Sequence, residues 1–377
     1  MKNHILNYFW LALLLLSAHV QAQAVKGFYV NGFHTILGNT AKEDSLLIFA
    51  HNNGFNYLTL YNLHQINIET QAGSDRLSSF ISRAKADYGI LEIGGATETY
   101  DFVRDYLHPY NLQHSDPSER IDVYNLEFEF WSASSTDTGG YYCQYYLEPA
   151  NLPCSVDGAY QFYTDLLYHI DSLANSAGLK SEAYLGWFDS TQAVGLVNTG
   201  VDRLFTHIYM TSAAFSQNSQ YNYVKQRLQY LGESGQTVKV YPLYDSEPDF
   251  MQSWAATHDF FEPFQLLQAS LAAETGTWKN NLDVSGIQWF AYSYMPKKNM
   301  SLALSEHEKD AFRISQNEES VQISAEGRFT YELLDLSGKQ LVSGNEDQPA
   351  FSAHFSHGIY LLNIHSGTEF HTVKLFL

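Results

Sequence analysis

The densest chemistry in the chain lies in one short stretch, Asp122-Val-Tyr-Asn125-Leu-Glu127-Phe-Glu129-Phe-Trp131. Side chains alternate along an extended strand, so Asn125, Glu127 and Glu129 share one face while Leu126, Phe128 and Phe130 share the other. Successive members of a face are roughly 6.5 Å apart by backbone rise, close enough for the carboxyl groups to feel each other. Two carboxylates withdrawn from water cannot both ionise freely, and like charge with desolvation pushes one pKa up. A carboxyl kept neutral near pH 7 is a general acid, and a second one beside it can stabilise developing positive charge. Glycosidic cleavage requires that pair. The alternative is a polar layer inside a barrel, satisfied by neighbouring Tyr and Asn.

What could hold such a strand follows from the pattern around it. Short β-rich runs are expected at Gly27–Phe33, Tyr57–Asn62, Gly89–Gly95, Tyr124–Trp131, Glu182–Phe188, Leu204–Met210, Val238–Tyr244 and Gly286–Tyr294. Helical periodicity falls between them. Ser74 is read as the cap of a helix that places Leu77, Phe80, Ile81 and Ala84 on one face. A second runs from about Tyr160 to Ala177 with Phe162, Leu166, Leu167, Ile170, Leu173 and Ala174 inward, and others fit Tyr221–Leu231 and Phe261–Ala273. Strands alternating with helices pair in parallel, and eight such units close a (β/α)8 TIM barrel. An open doubly wound sheet is disfavoured because no glycine-rich phosphate loop follows the first strand. Loops after strands build the working face of such a barrel, so the long Ser132–Gly158 connection should wall one side of a cleft.

Composition narrows the partners. With 41 acidic against 21 basic residues the net charge is −20, which repels phosphate backbones and anionic membranes; no nucleic acid and no membrane span are expected. Lys2, the apolar Phe9–Leu16 and the small residues near Ala22 and Ala24 read as a secretory signal over residues 1–24, a retained anchor being the alternative. Export makes a disulfide between the two cysteines, Cys143 and Cys154, the expected state. No His/Cys cluster has metal-ligand spacing, so no metal and no cofactor are expected. Residues 25–313 should form the barrel, closed by a helix over Ser301–Phe312. From residue 314 to 377 short alternating strands, among them Phe329–Asp335, Gly338–Ser343, Gly358–His365 and Thr372–Leu377, read as a small β-sandwich.

Asp122, Asn125, Glu127 and Glu129 resemble the D-x-x-D-x-D-x-E signature of family 18 glycoside hydrolases. Glu92-Ile-Gly94-Gly95 resembles that family's S-x-G-G, Tyr209 its M-x-Y-D tyrosine, and Trp289 on the eighth strand its substrate-flooring tryptophan. The resemblance spans roughly Gly27 to Met295. It implies Glu129 as general acid/base, Glu127 orienting a substrate N-acetyl group that acts as internal nucleophile, Tyr209 bonding the same group, and Trp289 beneath the sugar. Asn125 and Glu127 stand where the family has Asp, Glu92 where it has Ser, and Met210 where it has Asp. Asp122, Asn125, Glu92, Trp131, Tyr61 and Trp187 are candidate substrate contacts; Tyr244, Asp189 and Asp245 lie at or just past strand ends and could join them, whereas His207 reads as a core residue.

The C-terminal region resembles the sorting domain of type IX secretion cargo, through Tyr331-Glu-Leu-Leu-Asp335-Leu-Ser-Gly338-Lys339, Gly358-Ile-Tyr360-Leu361 and Lys374-Leu375, with Ser315-Gln-Asn317 in place of its usual N-P start. A small carbohydrate-binding sandwich is the alternative. The resemblance implies the type IX secretion machinery as partner, and a secreted or cell-surface location. Three functions stay open: a secreted retaining, chitinase-like hydrolase of N-acetylglucosamine-containing glycans; a non-hydrolytic glycan-binding barrel; and a retaining glycosidase of another family using Glu127 with Glu129, or Glu92, as a direct pair.

Overall fold

The computed structural model describes residues 24–298, 301–302, 312–316, 320–325, 327–335, 339–352, 359–366 and 369–376. The expected signal segment lies outside the described residues, apart from Ala24. Among them no helix is long and apolar enough to cross a membrane.

Eight parallel strands close into a barrel: β1 (Val25–Val30), β2 (Tyr57–Leu60), β3 (Glu92–Thr97), β4 (Val123–Leu126), β5 (Lys180–Leu185), β6 (Arg203–Ile208), β7 (Val238–Asp245) and β8 (Gly286–Phe290). Each pairs with its sequence neighbour, and the ring shuts where β8 pairs with β1 at Val25↔Gly286. Closure leaves no free sheet edge, which is why the strands can be this short. Two core layers result. Between sheet and helices pack residues such as Phe28, Leu58, Leu126, Phe128 and Trp289; inside the barrel pack Tyr29, Tyr57, Val123, Phe205, Tyr241 and Leu243.

The helices return the chain along the outside. They are α1 (Thr40–Asn52), α2 (Gln71–Tyr88), α3 (residues 100–113, with a wide π turn at Val103–Leu107), α4 (Val156–Ser176), α5 (Ser190–Asn198), α6 (Gln217–Gly232) and α7 (Glu262–Ala273). The cap of α2 is Thr70, whose side chain accepts the Gly73 N–H, not Ser74. Ser74 lies one turn inside, buried against His114 at 2.9 Å. The expected inner face of α2 holds: Leu77, Phe80, Ile81 and Ala84 are all buried. Helices α1, α3 and α5 were not anticipated. In α1 the apolar residues Leu46, Leu47, Phe49 and Ala50 run together instead of recurring by turns, so the period that signals a helix is blurred.

Past β8 the expected closing helix is not what begins. Ser301–Leu302 (β9) is a strand, antiparallel to Phe312–Gln316 (β10), and the span between lies outside the described residues. β9 and β10 join Ser320–Ala325 (β11) and Ala350–Ser352 (β14) in one antiparallel sheet. Thr330–Asp335 (β12), Gln340–Asn345 (β13), Ile359–Ser366 (β15) and Glu369–Phe376 (β16) form the other. Val321, Ile323 and Phe351 from the first sheet and Tyr331, Leu333, Leu362 and Ile364 from the second share one apolar core. That shared core makes the region a sandwich.

Candidate functional site

Regular pairing in β4 ends at Leu126, five residues earlier than expected. The Glu127 N–H still donates to the Thr97 carbonyl at 2.8 Å, and the chain turns at Glu129, where the Phe130 N–H donates to the Phe128 carbonyl at 3.0 Å. Alternation nonetheless survives past the strand end. Phe128 and Phe130 are fully buried on the outer side, against Tyr163 of α4, while Glu127 and Glu129 turn inward. They meet in a cavity of about 290 Å3 at the C-terminal mouth of the barrel, together with Tyr61, Glu98, Tyr142, Tyr184, Tyr209, Asp245, Glu247, Phe250 and Phe290. Seven successive strands, β2 to β8, thus contribute at or just past their ends. That is where a β/α barrel gathers its working residues.

Glu127 and Glu129 are both partly buried, each reached by the cavity. Burial and then the Glu129 charge push the Glu127 pKa up to about 8, against a hydrogen bond from Tyr61 that favours the ionised form. Glu129 is also raised, chiefly by burial, while the Tyr184 hydroxyl donates to its Oε1 at 3.3 Å. The two carboxyls repel, so the pair holds on to a proton at neutral pH. Burial likewise lifts Asp245, at the end of β7, to about 7 even though it accepts the Glu247 N–H at 2.7 Å. The Tyr209 hydroxyl is hydrogen-bonded to that of Tyr184 and feels both Asp245 and Glu127. Among the described residues no Lys or Arg lines the cavity.

Other candidates lie elsewhere. Asn125 is fully buried one layer below, accepting from the Tyr29 hydroxyl at 3.3 Å and donating to Glu182 at 3.2 Å. Asp122 is at the opposite end of the barrel, where it pairs with Lys85 at 2.8 Å and accepts the Ile93 N–H at 2.7 Å. Its even position relative to Val123 puts it outside the inward set. Glu92 opens β3 instead of ending it, and is ion-paired at the base with Lys180 and with Arg203 at 2.7 Å. Gly94, two residues on, is glycine for packing, because a Cβ there would meet the Tyr57 hydroxyl at 2.3 Å. Trp289 points away from the site: Gln288 and Phe290 are the inward residues of β8, while the Trp289 indole donates to the Phe260 carbonyl at 2.9 Å beneath the helices. Tyr244, similarly outward, donates to Gln220.

Trp131 covers Gly186, where a Cβ would come within 2.2 Å of the indole, and stands edge-on to Tyr184, a ring that does line the cavity. Trp187 is half-exposed on the rim over the Arg227 guanidinium. Asp189 caps α5 by accepting the Gln192 N–H. His207 is a buried ring with its pKa lowered to about 3 by burial and by Arg227, hence neutral. Cys143 and Cys154 form the expected disulfide, which removes the thiolates that a metal at Cys143, Glu148 and Cys154 would need.

Glu98, Tyr142, Tyr184, Glu247, Phe250 and Phe290 were not anticipated. Phe290 and Tyr184 were legible in principle, by carrying inward alternation along β8 and β5. Glu98, Tyr142, Glu247 and Phe250 come from loops, where no period applies.

The chain matches no family model and no curated protein. Among solved structures it is similar to the catalytic domain of the GH26 endo-β-1,4-mannanase of Bacillus sp. JAMB-750, at 12% identity and a TM-score of 0.42 over 72% of this chain and 77% of that one. It is also similar to β-glucuronidase 2 of Bacteroides uniformis, at 12% identity and a TM-score of 0.41 over 94% of this chain but 45% of that one. The YdjI aldolase of Escherichia coli K12 follows at 11% identity and a TM-score of 0.37, over 71% of this chain and 74% of that one. These likenesses join glycosidases with an aldolase and do not choose between chemistries. The protein is a closed parallel β/α barrel with a carboxylate-rich mouth, followed by an antiparallel sandwich.

Proposed function

We propose that the protein is a secreted glycoside hydrolase that cleaves N-acetylglucosamine-containing glycans with retention, the substrate's own acetamido group serving as nucleophile. The observation that carries this is the convergence of Glu127 and Glu129 with Tyr209 in one aromatic-walled cavity, where burial raises the pKa of Glu129. Glu129 donates its proton to the leaving glycosidic oxygen. The acetamido oxygen attacks the anomeric carbon as that bond breaks, and Glu127 and Tyr209 hold the acetamido group in line. Glu129, now a carboxylate, then takes a proton from the water that opens the oxazolinium ring, and the starting state returns. Asp122, Glu92 and Trp289 have no part in this, since they do not reach the cavity.

Purified full-length protein should release sugars from chitin oligosaccharides or N-glycans, and Glu129→Gln should lose at least about a hundredfold in kcat, the usual worth of a general acid. No turnover with glycan binding retained would replace the hydrolase by a binding barrel. A second mechanism is favoured by one observation: Glu127 holds its proton more strongly and Tyr184 supports an ionised Glu129, as an acid and a direct nucleophile would need. Cleavage of glucosides that lack the acetamido group would select it. The disulfide fits export, and the C-terminal sandwich is the proposed sorting module. Mass spectrometry of the secreted form, showing loss of the leader and the tail, tests both.

A further inference from the structure

The loop after β4 carries Tyr141-Tyr142-Cys143-Gln144-Tyr145-Tyr146, four tyrosines around a bridged cysteine. They do not collapse into the core together. Tyr142 stacks on Phe128 with centroids 4.1 Å apart and lines the cavity, whereas Tyr141 and Tyr145 remain 50% and 64% exposed. The two exposed rings lie 5.0 Å apart, and Tyr141 contacts both Tyr142 and Tyr146. The cluster is continuous with the cavity through one carboxylate: Glu98, a cavity residue, accepts from the Tyr146 hydroxyl at 2.9 Å and the Tyr141 hydroxyl at 3.5 Å. Adjacent exposed tyrosines present apolar ring faces with polar tips, a surface on which the apolar face of a sugar can stack. The Cys143–Cys154 bond ties the loop 11 residues on, to the segment just before α4, so the rings are held in place before any ligand arrives.

We propose that Tyr141 and Tyr145 form a stacking platform for the part of a neutral glycan chain that extends beyond the cavity, making the protein selective for long chains over short ones. This rests on the hydrolase reading for its kinetic test but not for its binding test. A glycan is the occupant because the platform opens directly from the cavity, where a chain bound at Glu129 must emerge. A polyanionic glycan is disfavoured by the acidic lining of the same opening, which includes Glu98 and Glu247, and by the net charge of −20.

The test compares wild type with Tyr141→Ala/Tyr145→Ala and Tyr141→Phe/Tyr145→Phe, each checked for an unchanged melting temperature. On full-length protein, the ratio of kcat/KM for chitohexaose over a chitobiosyl reporter should fall roughly tenfold in the alanine variant, since each ring contributes about 0.5–1.5 kcal/mol, or two- to tenfold. The fall should come through KM, and the phenylalanine variant should restore the ratio. In parallel, gels containing glycol chitin or glucomannan should retard wild type and the phenylalanine variant but not the alanine variant. An unchanged ratio, or equal loss on both substrates, overturns the platform. If no substrate is cleaved, the hydrolase reading fails alone, and the gels decide the platform: retardation insensitive to the tyrosines, or none, overturns it. Loss of self-association in the alanine variant with glycan behaviour intact would also overturn it, in favour of a protein contact.

Discussion

At the base of the barrel, Arg203 lies between Glu182 at 2.6 Å and Glu92 at 2.7 Å, Lys180 also meets Glu92, and the Tyr57 hydroxyl donates to Glu182 at 2.5 Å. Despite the upward pull of burial, Arg203 and Lys180 bring Glu92 below its ordinary pKa. At the mouth, Glu98, Glu127, Glu129, Asp245 and Glu247 face one cavity with no cation among the described residues of its walls, and burial lifts Glu127 and Asp245 toward neutrality. Both ends withdraw carboxylates from water. The base sets cations beside its carboxylates and so holds strands β3, β5 and β6 in register, although burial still leaves Glu182 above its ordinary pKa; the mouth offers its carboxyls no such partner, which costs stability and keeps protons available for chemistry.

That contrast can be broken at the base first. Arg203→Met should cost about 3–5 kcal/mol, because it strands the fully buried Glu182 and leaves Glu92 to Lys180 alone. Urea unfolding checks it, and a loss under about 1 kcal/mol would mean that water reaches the base and the contrast is false. The next effect has the opposite sign. Glu127 is raised from 4.5 to about 8, so between those values the folded chain holds a proton that the unfolded chain has released. Stability therefore falls as pH rises through this window. Glu127→Gln removes the fall and should gain on the order of 2–4 kcal/mol over wild type above pH 8, with little difference near pH 4.5. Melting curves across that range would show parallel profiles if the mouth were in fact compensated.

Opening the disulfide is smaller. Cys143→Ser/Cys154→Ser should cost about 2–3 kcal/mol through the freed loop. Kinetics on the same protein should show KM for long glycans rising more than kcat falls, since the loop walls the mouth. The smallest effect sharpens the placement of Asp122. Asp122→Asn should lower stability by about 1 kcal/mol, through Lys85 and the Ile93 amide, and leave kcat and KM within about twofold. A large kinetic loss would return Asp122 to the catalytic machinery.

Much of the barrel was legible along the chain. All eight strands fall within a few residues of their expected places, and Glu127 with Glu129 was visible as an inward pair because strand alternation is a local, two-residue rule that holds even where pairing lapses after Leu126. The same rule applied to β8 would have sent Trp289 outward, but a resemblance of position stood in for parity.

The amino-acid order by itself determined the alternating β and α units, the facing glutamates, the cysteine pair and the acidic excess, all properties of neighbours in sequence or of composition. Only the tertiary structure decided which end of the barrel each carboxylate occupies. Glu92 and Asp122 went to the base beside Arg203 and Lys85, while Glu98 and Glu247 joined Glu129 at the mouth. Where a strand starts and stops depends on pairing with partners far away in the chain, and a charged residue's role follows from which distant cation, or none, that pairing brings beside it.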